Sequence, residues 1–259
     1  MGPLPSKQDQ RVAEVVIDWY EEYTKKNPEL EDSLLDEISV NNDDGKIEMI
    51  MLARMFSQYR LREENALRIW KQVKSWFLEE NYRYRDIFKR KDNIGVEKLD
   101  KKLRALGFPV SAADFITEIG LAVKNLQSST GEIEFQRKST WKETTQSLTH
   151  SLRGTGIRQK AFWIFRVLKQ IGEWEDIPGE FCCVSDVHVK AFLRKFGFVT
   201  NPDENLFLNS STIWKYFNEP FEHKYYDIPV FRFARTHGCV SCNIKECSLS
   251  RLIECSKRV

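Results

Sequence analysis

The chain has 259 residues, with 40 Lys and Arg against 38 Asp and Glu, a net charge of +2. Its 41% apolar and 30% charged residues, with 12 Gly and 8 Pro, exclude collagen-like, low-complexity and wholly disordered classes, and the length suits one or two domains with a buried core. The near-zero total hides an asymmetry, because residues 1–50 hold 5 basic and 13 acidic residues, net −8, which leaves 35 basic and 25 acidic residues, net +10, in 51–259. Such a basic body suits a polyanionic partner, and it equally suits helix surfaces with balanced charge runs.

The opening MGPLPSKQDQ lacks a basic stretch followed by an apolar run, and nowhere do 18 residues pass without a charge. The expected setting is therefore the cytoplasm, with the nucleoid, or the nucleus, away from membranes. Val12, Val15, Val16, Trp19 and Tyr23 recur at three- and four-residue steps and predict a first amphipathic helix, ended by Asn27-Pro28. The polar residues 41–45 read as a linker or turn, after which Ile47, Ile50, Met51, Ala53, Met55 and Phe56 open a nearly apolar helix central to the core. Residues 63–79 place Ala66, Ile69, Trp70, Val73, Trp76 and Phe77 on one face, and further helices are predicted over 96–106 and 111–126, the latter with Ser111 and Asp114 as a capping-box-like start. A less regular stretch at 128–138 precedes a helix from about 140 to 152. The period-2 patch at 131–135 is too short to build a sheet, no repeat of fixed period is present, and the predicted class is all-α.

Residues 152–168 read as a helix end, a tight turn with Gly154 and Gly156, and a second apolar helix. Glycines allow positive φ and close approach of another backbone, and the N–H groups at a helix start form an anion site; an ordinary glycine C-cap gives the same pattern. After a loop containing Pro178 comes Val184-Ser185-Asp186-Val187-His188-Val189, with Asp186 at a predicted helix N-terminus, where an N-cap role is also expected. All six cysteines follow residue 180, and Cys239, Cys242, Cys247 and Cys255 fall within 17 residues, which in a reducing compartment reads as a metal site.

In their order these features resemble the helix–hairpin–helix DNA glycosylase superfamily, over residues 47–255. Met51-Leu52-Ala53-Arg54-Met55-Phe56-Ser57-Gln58 followed by Ala66-Leu67-Arg68-Ile69-Trp70 looks like that family's early apolar helix, Ser-Gln and next helix. Gly154-Thr155-Gly156 looks like the hairpin, and the segment around Asp186 resembles the Val-Asp-x-His-Val stretch that holds the family's catalytic aspartate. The C-terminal cysteine cluster is similar to that of the endonuclease III branch. The resemblance implies a two-lobed helical fold, with residues 1–44 and 172–259 forming one discontinuous domain and 45–171 a bundle ending in the hairpin motif. It implies an enzyme that flips a damaged or modified base out of duplex DNA and hydrolyses its N-glycosidic bond, in repair or against foreign DNA, as a monomer. Asp186 would be catalytic; Gly154, Gly156, Arg158, Gln58, Lys245 and Arg251 would meet DNA; and Phe56, Tyr59, Phe162 and Trp163 are candidate stacking residues.

Two departures from the family pattern matter. Bifunctional relatives place a nucleophilic lysine after the second hairpin glycine with one residue between them, where this chain has Arg158; Lys160 reaches the position only in a longer turn. Arginine stays protonated, so a monofunctional hydrolase is expected, with Lys160 the local candidate for lyase chemistry. The cysteine spacing, Cys239-x2-Cys242-x4-Cys247-x7-Cys255, differs from Cys-x6-Cys-x2-Cys-x5-Cys of endonuclease III. Four thiolates can hold a 4Fe–4S cluster or a tetrahedral zinc, and the resemblance favours the cluster; His237 could replace one cysteine. A DNA-binding module without catalysis, or a zinc-stapled helical interaction protein, would share part of this pattern.

Overall fold

A computed structural model describes residues 7–26, 38, 40–57, 63–88, 93–222 and 225–240. In chain order its helices are α1 (Lys7–Lys26), α2 (Asp43–Phe56), α3 (Glu63–Glu79), α4 (Tyr84–Phe88), α5 (Asn93–Ala105), α6 (Ala112–Asn125), α7 (Trp141–Ser151), α8 (Ala161–Gln170), α9 (Val187–Lys195), α10 (Leu206–Phe217) and α11 (Ile228–Thr236). The protein is all-α: among the described residues the extended pairing is confined to one isolated bridge, Gln127 with Ile133. Contacts group the chain into two compact units, residues 34–164 and residues 1–33 with 165–259.

In the 34–164 unit, α2 is the central helix, buried at Gly45 and from Ile47 through Met55, and it packs against α3 and α6. It begins earlier than its apolar pattern suggests. Asn42 Oδ1 accepts the Gly45 N–H at 2.9 Å, and Asp43 and Asp44 occupy the first turn, where acidic side chains oppose the positive helix end. The polar linker read over 41–45 therefore stops at Asn42. Trp70, Phe77 and Phe115 are fully buried around α2, each contributing on the order of 2–3 kcal/mol by removal from water. Two charged side chains of α2 are buried as well, Glu48 and Arg54. Glu48 accepts from the Tyr84 hydroxyl at 2.9 Å and pairs with Lys74 at 2.8 Å; burial, then the Glu48 charge, pushes the Tyr84 phenol well above its usual range.

The second unit packs α1 against α10 and α11 and sets α9 on α11. Trp19 stacks on Tyr23 and meets the ring of Phe233 edge-on, while Phe192 of α9 lies edge-on to Phe217 and Phe233. α10 covers a 3-10 turn at Gly179–Phe181. A Cβ on Gly179 would fall 2.3 Å from the Trp214 ring, so the close approach of backbone to indole admits only glycine.

Candidate functional site

The turn between α7 and α8 is built by its own residues. Thr140 accepts the Glu143 N–H and the Glu143 carboxylate accepts the Thr140 N–H, a complete capping box that starts α7. α7 stops at Leu152, and Gly154 and Gly156 then take φ of +79° and +72°, values a side chain rarely adopts. Between them Thr155 is fully buried, and its hydroxyl donates to the Leu152 carbonyl at 2.6 Å, which ties the turn back to the helix end. Gly154 and Gly156 are exposed, and their N–H groups donate to no acceptor among the described residues. An exposed turn with unpaired N–H groups suits an anion. The start of the second helix contributes less than its sequence suggests. Residues Arg158–Lys160 form a 3-10 turn in which Lys160 N–H bonds the Ile157 carbonyl and Ala161 N–H bonds that of Arg158. Arg158 is exposed and Lys160 half-buried at that turn.

Beneath Gly156 lies an ion pair that sequence patterns did not single out. The Arg54 guanidinium, buried in α2, donates Nε–H to Glu118 of α6 at 2.5 Å, and its Nη2 pairs with the same carboxylate oxygen. A Cβ on Gly156 would stand 3.0 Å from Arg54 Nε and 3.2 Å from its Cζ. Gly156 is therefore required both by its φ and by the guanidinium it covers. Gly154 is required by φ alone, because a Cβ there would meet only the Leu121 side chain at 3.6 Å. An arginine inside an apolar helix was visible in the sequence, but its acceptor 64 residues away was not.

Asp186 lies in the other unit and is the N-cap of α9. Its Oδ1 accepts the N–H groups of His188 and Val189, both at 2.9 Å. Oδ2 has no hydrogen-bond or ion-pair partner among the described residues, and the side chain is half-exposed. One oxygen is fixed by the helix end while the other is available. The residues leading to it are buried and held one by one. Cys183 N–H donates to the Ser210 hydroxyl at 3.1 Å, Val184 N–H to Asp227 Oδ1 at 2.8 Å, and the Asn209 amide to the Ser185 hydroxyl at 3.1 Å. Asp227 also accepts from Arg166 at 2.7 Å, in a pair whose side chains are 10% and 11% exposed. Asp227 precedes Ile228-Pro229 and reads as a helix cap, yet its side chain caps nothing and turns to the segment that carries Asp186. Cys182 and Cys183 are buried in this segment, and burial pushes the Cys182 thiol up to about 12 and that of Cys183 well above its usual range.

Phe162 and Trp163 are buried, and Trp163 packs edge-on against Phe56 at 5.7 Å, so they serve the core. Gln58, Tyr59, Lys245, Arg251, Cys242, Cys247 and Cys255 lie outside the described residues. Cys239 is buried just beyond α11, and its N–H bonds the Ala234 carbonyl at 2.8 Å. Two residues earlier, burial holds the His237 imidazole below its usual range, and its Nε2 is buried with no partner among the described residues. No described helix is long and apolar enough to cross a membrane. In comparisons with known proteins, no family model, curated protein or solved structure matches the chain.

Proposed function

We propose that the protein is a DNA glycosylase that hydrolyses the N-glycosidic bond of a damaged or modified base. The observation that carries this reading is the Asp186 carboxylate: one oxygen is pinned by two backbone N–H groups and the other has no partner among the described residues, on a segment fixed by three hydrogen bonds and one buried ion pair. The exposed Gly154 and Gly156, whose N–H groups donate to no acceptor among the described residues, support a phosphate-binding role earlier in the chain.

A base in duplex DNA is out of reach until it is flipped from the stack. As the glycosidic bond breaks, positive charge grows on the sugar, and a carboxylate fixed before the reaction stabilises it without reorganising. Asp186 is assigned that role, with Oδ2 facing the sugar and orienting the attacking water. The hairpin N–H groups and Arg158 would hold the phosphate backbone. Bond cleavage is assigned to hydrolysis alone, with Lys160 a phosphate ligand. The C-terminal cysteines are assigned to a 4Fe–4S cluster or a zinc ion with a structural role. The buried thiol of Cys239 and the unpartnered Nε2 of His237 are donors chemically suited to such a group at this end of α11.

The test is a panel of duplexes bearing alkylated, oxidised, deaminated and mismatched bases, incubated with the protein and then treated with alkali. Strand breaks at the modified position are the expected result for at least one class. Their absence across the panel refutes the proposal.

A further inference from the structure

We infer that the solvent face of α7 is a phosphate-tracking surface that extends the DNA footprint from the hairpin along the preceding helix. The inference rests on the proposed DNA-binding role and names where else that role is performed. At 100° per residue, Lys142, Gln146, Thr149 and His150 fall on one stripe of α7, Arg153 follows in the turn two residues beyond the helix, and all are exposed or half-exposed. The opposite face, Thr144, Thr145, Leu148 and Leu152, is buried. The stripe holds cations and hydrogen-bonding side chains, and Glu143, three residues before Gln146 and seven before His150, borders it.

Its charge is one-sided for a reason visible in the structure. Residues 135–164 contain six Lys and Arg and a single acidic residue, Glu143. That carboxylate is turned back onto the Thr140 N–H in the capping box. Several cations elsewhere on the surface are matched: Lys98 with Glu80, Arg104 with Asp100, Lys190 and Arg194 with Asp203. Lys142, Arg153 and Arg158 have no ion-pair partner among the described residues. From Lys142 to the end of α7 at Ser151 the helix rises about 14 Å. Arg153 stands in the turn next to Gly154, whose N–H donates to no acceptor among the described residues, so helix face and turn form one run of donors. Just before α7, the Arg137 guanidinium lies 4.5 Å over the Trp141 ring, which holds a further cation at the start of the helix.

The experiment measures binding of the full chain to a short fluorescent DNA duplex by anisotropy, across a salt series. Wild type is compared with Lys142→Gln/Arg153→Gln and with a control that removes two cations from α5, Lys101→Gln/Lys102→Gln. Each phosphate contact contributes about 0.9 to the slope of log affinity against log salt, so the α7 variant should lose about 2 in slope and roughly tenfold or more in affinity at moderate salt. The control should match wild type. A change below twofold with the slope preserved overturns the inference, and so does an equal loss in the control, which would mean bulk charge. Base excision by the wild type with an unaltered α7 variant would sink this inference alone, whereas a wild type that neither binds nor excises would end both it and the proposed function.

Discussion

The two glycines of the turn between α7 and α8 differ in what surrounds them, and that difference can be weighed. Gly154→Ala places a side chain at φ +79° with its nearest neighbour, Leu121, at ordinary contact distance, so the expected cost is the left-handed strain of about 1–2 kcal/mol. Gly156→Ala carries the same strain at φ +72° and also presses a methyl group to 3.0 Å from Arg54 Nε. The guanidinium cannot withdraw cheaply, because it is buried and paired with Glu118. Overpacking of this kind adds about 1–3 kcal/mol. The entropy that alanine removes from the unfolded chain is the same at both sites and cancels in the comparison. Gly156→Ala should therefore be less stable than Gly154→Ala by about 1–3 kcal/mol, read as the separation of urea midpoints at equal slope. A difference below about 0.5 kcal/mol would refute the reading of the Arg54 pair as the support of the turn.

Asp227→Asn keeps an acceptor for Val184 but leaves Arg166 buried without its counter-charge, and a loss of about 3 kcal/mol or more is expected from denaturation, with only a modest change for an exposed control such as Asp203→Asn. Gly179→Ala drives a Cβ to 2.3 Å from the Trp214 ring, and calorimetry should show a fall in melting temperature larger than that of Gly131→Ala, where nothing lies within 4 Å. Cys182 and Cys183, buried and with raised thiol pKa, should resist alkylation in the folded protein at mildly alkaline pH and react after unfolding, as followed by peptide mass mapping. Borohydride should trap no covalent adduct with DNA containing an abasic site; an adduct lost in Lys160→Gln would reverse the assignment to a monofunctional hydrolase.

Helices were legible wherever a long apolar face repeated. Residues 63–79 read as helix from six apolar positions, and α3 has those bounds. Ser111 marks the start of α6 because capping chemistry is local, and the helix expected from about 140 is α7, which the structure shows capped by Thr140. α4 leaves no legible pattern, since five residues span little more than one 3.6-residue turn, and residues 43–45 read as a linker because acids and glycine imitate a turn. At the candidate site the same division holds. The glycine turn and the capping role of Asp186 are local and were readable. The Arg54–Glu118 support, the Asp227–Arg166 clamp and the Ser210 and Asn209 hydrogen bonds join residues 24 to 64 positions apart, and no periodicity records such partners.

The central claim concerns chemistry at Asp186, and asparagine at that position isolates it. Asparagine is as good an N-cap as aspartate, so Asp186→Asn should keep the His188 and Val189 hydrogen bonds, with stability and DNA affinity close to wild type. It removes only the charge. Single-turnover release of the base, measured with wild type and Asp186→Asn on the most reactive duplex of the panel, is the direct measurement. The account predicts a loss of at least about a hundredfold in rate with binding unchanged. Base release by Asp186→Asn at the wild-type rate would contradict it.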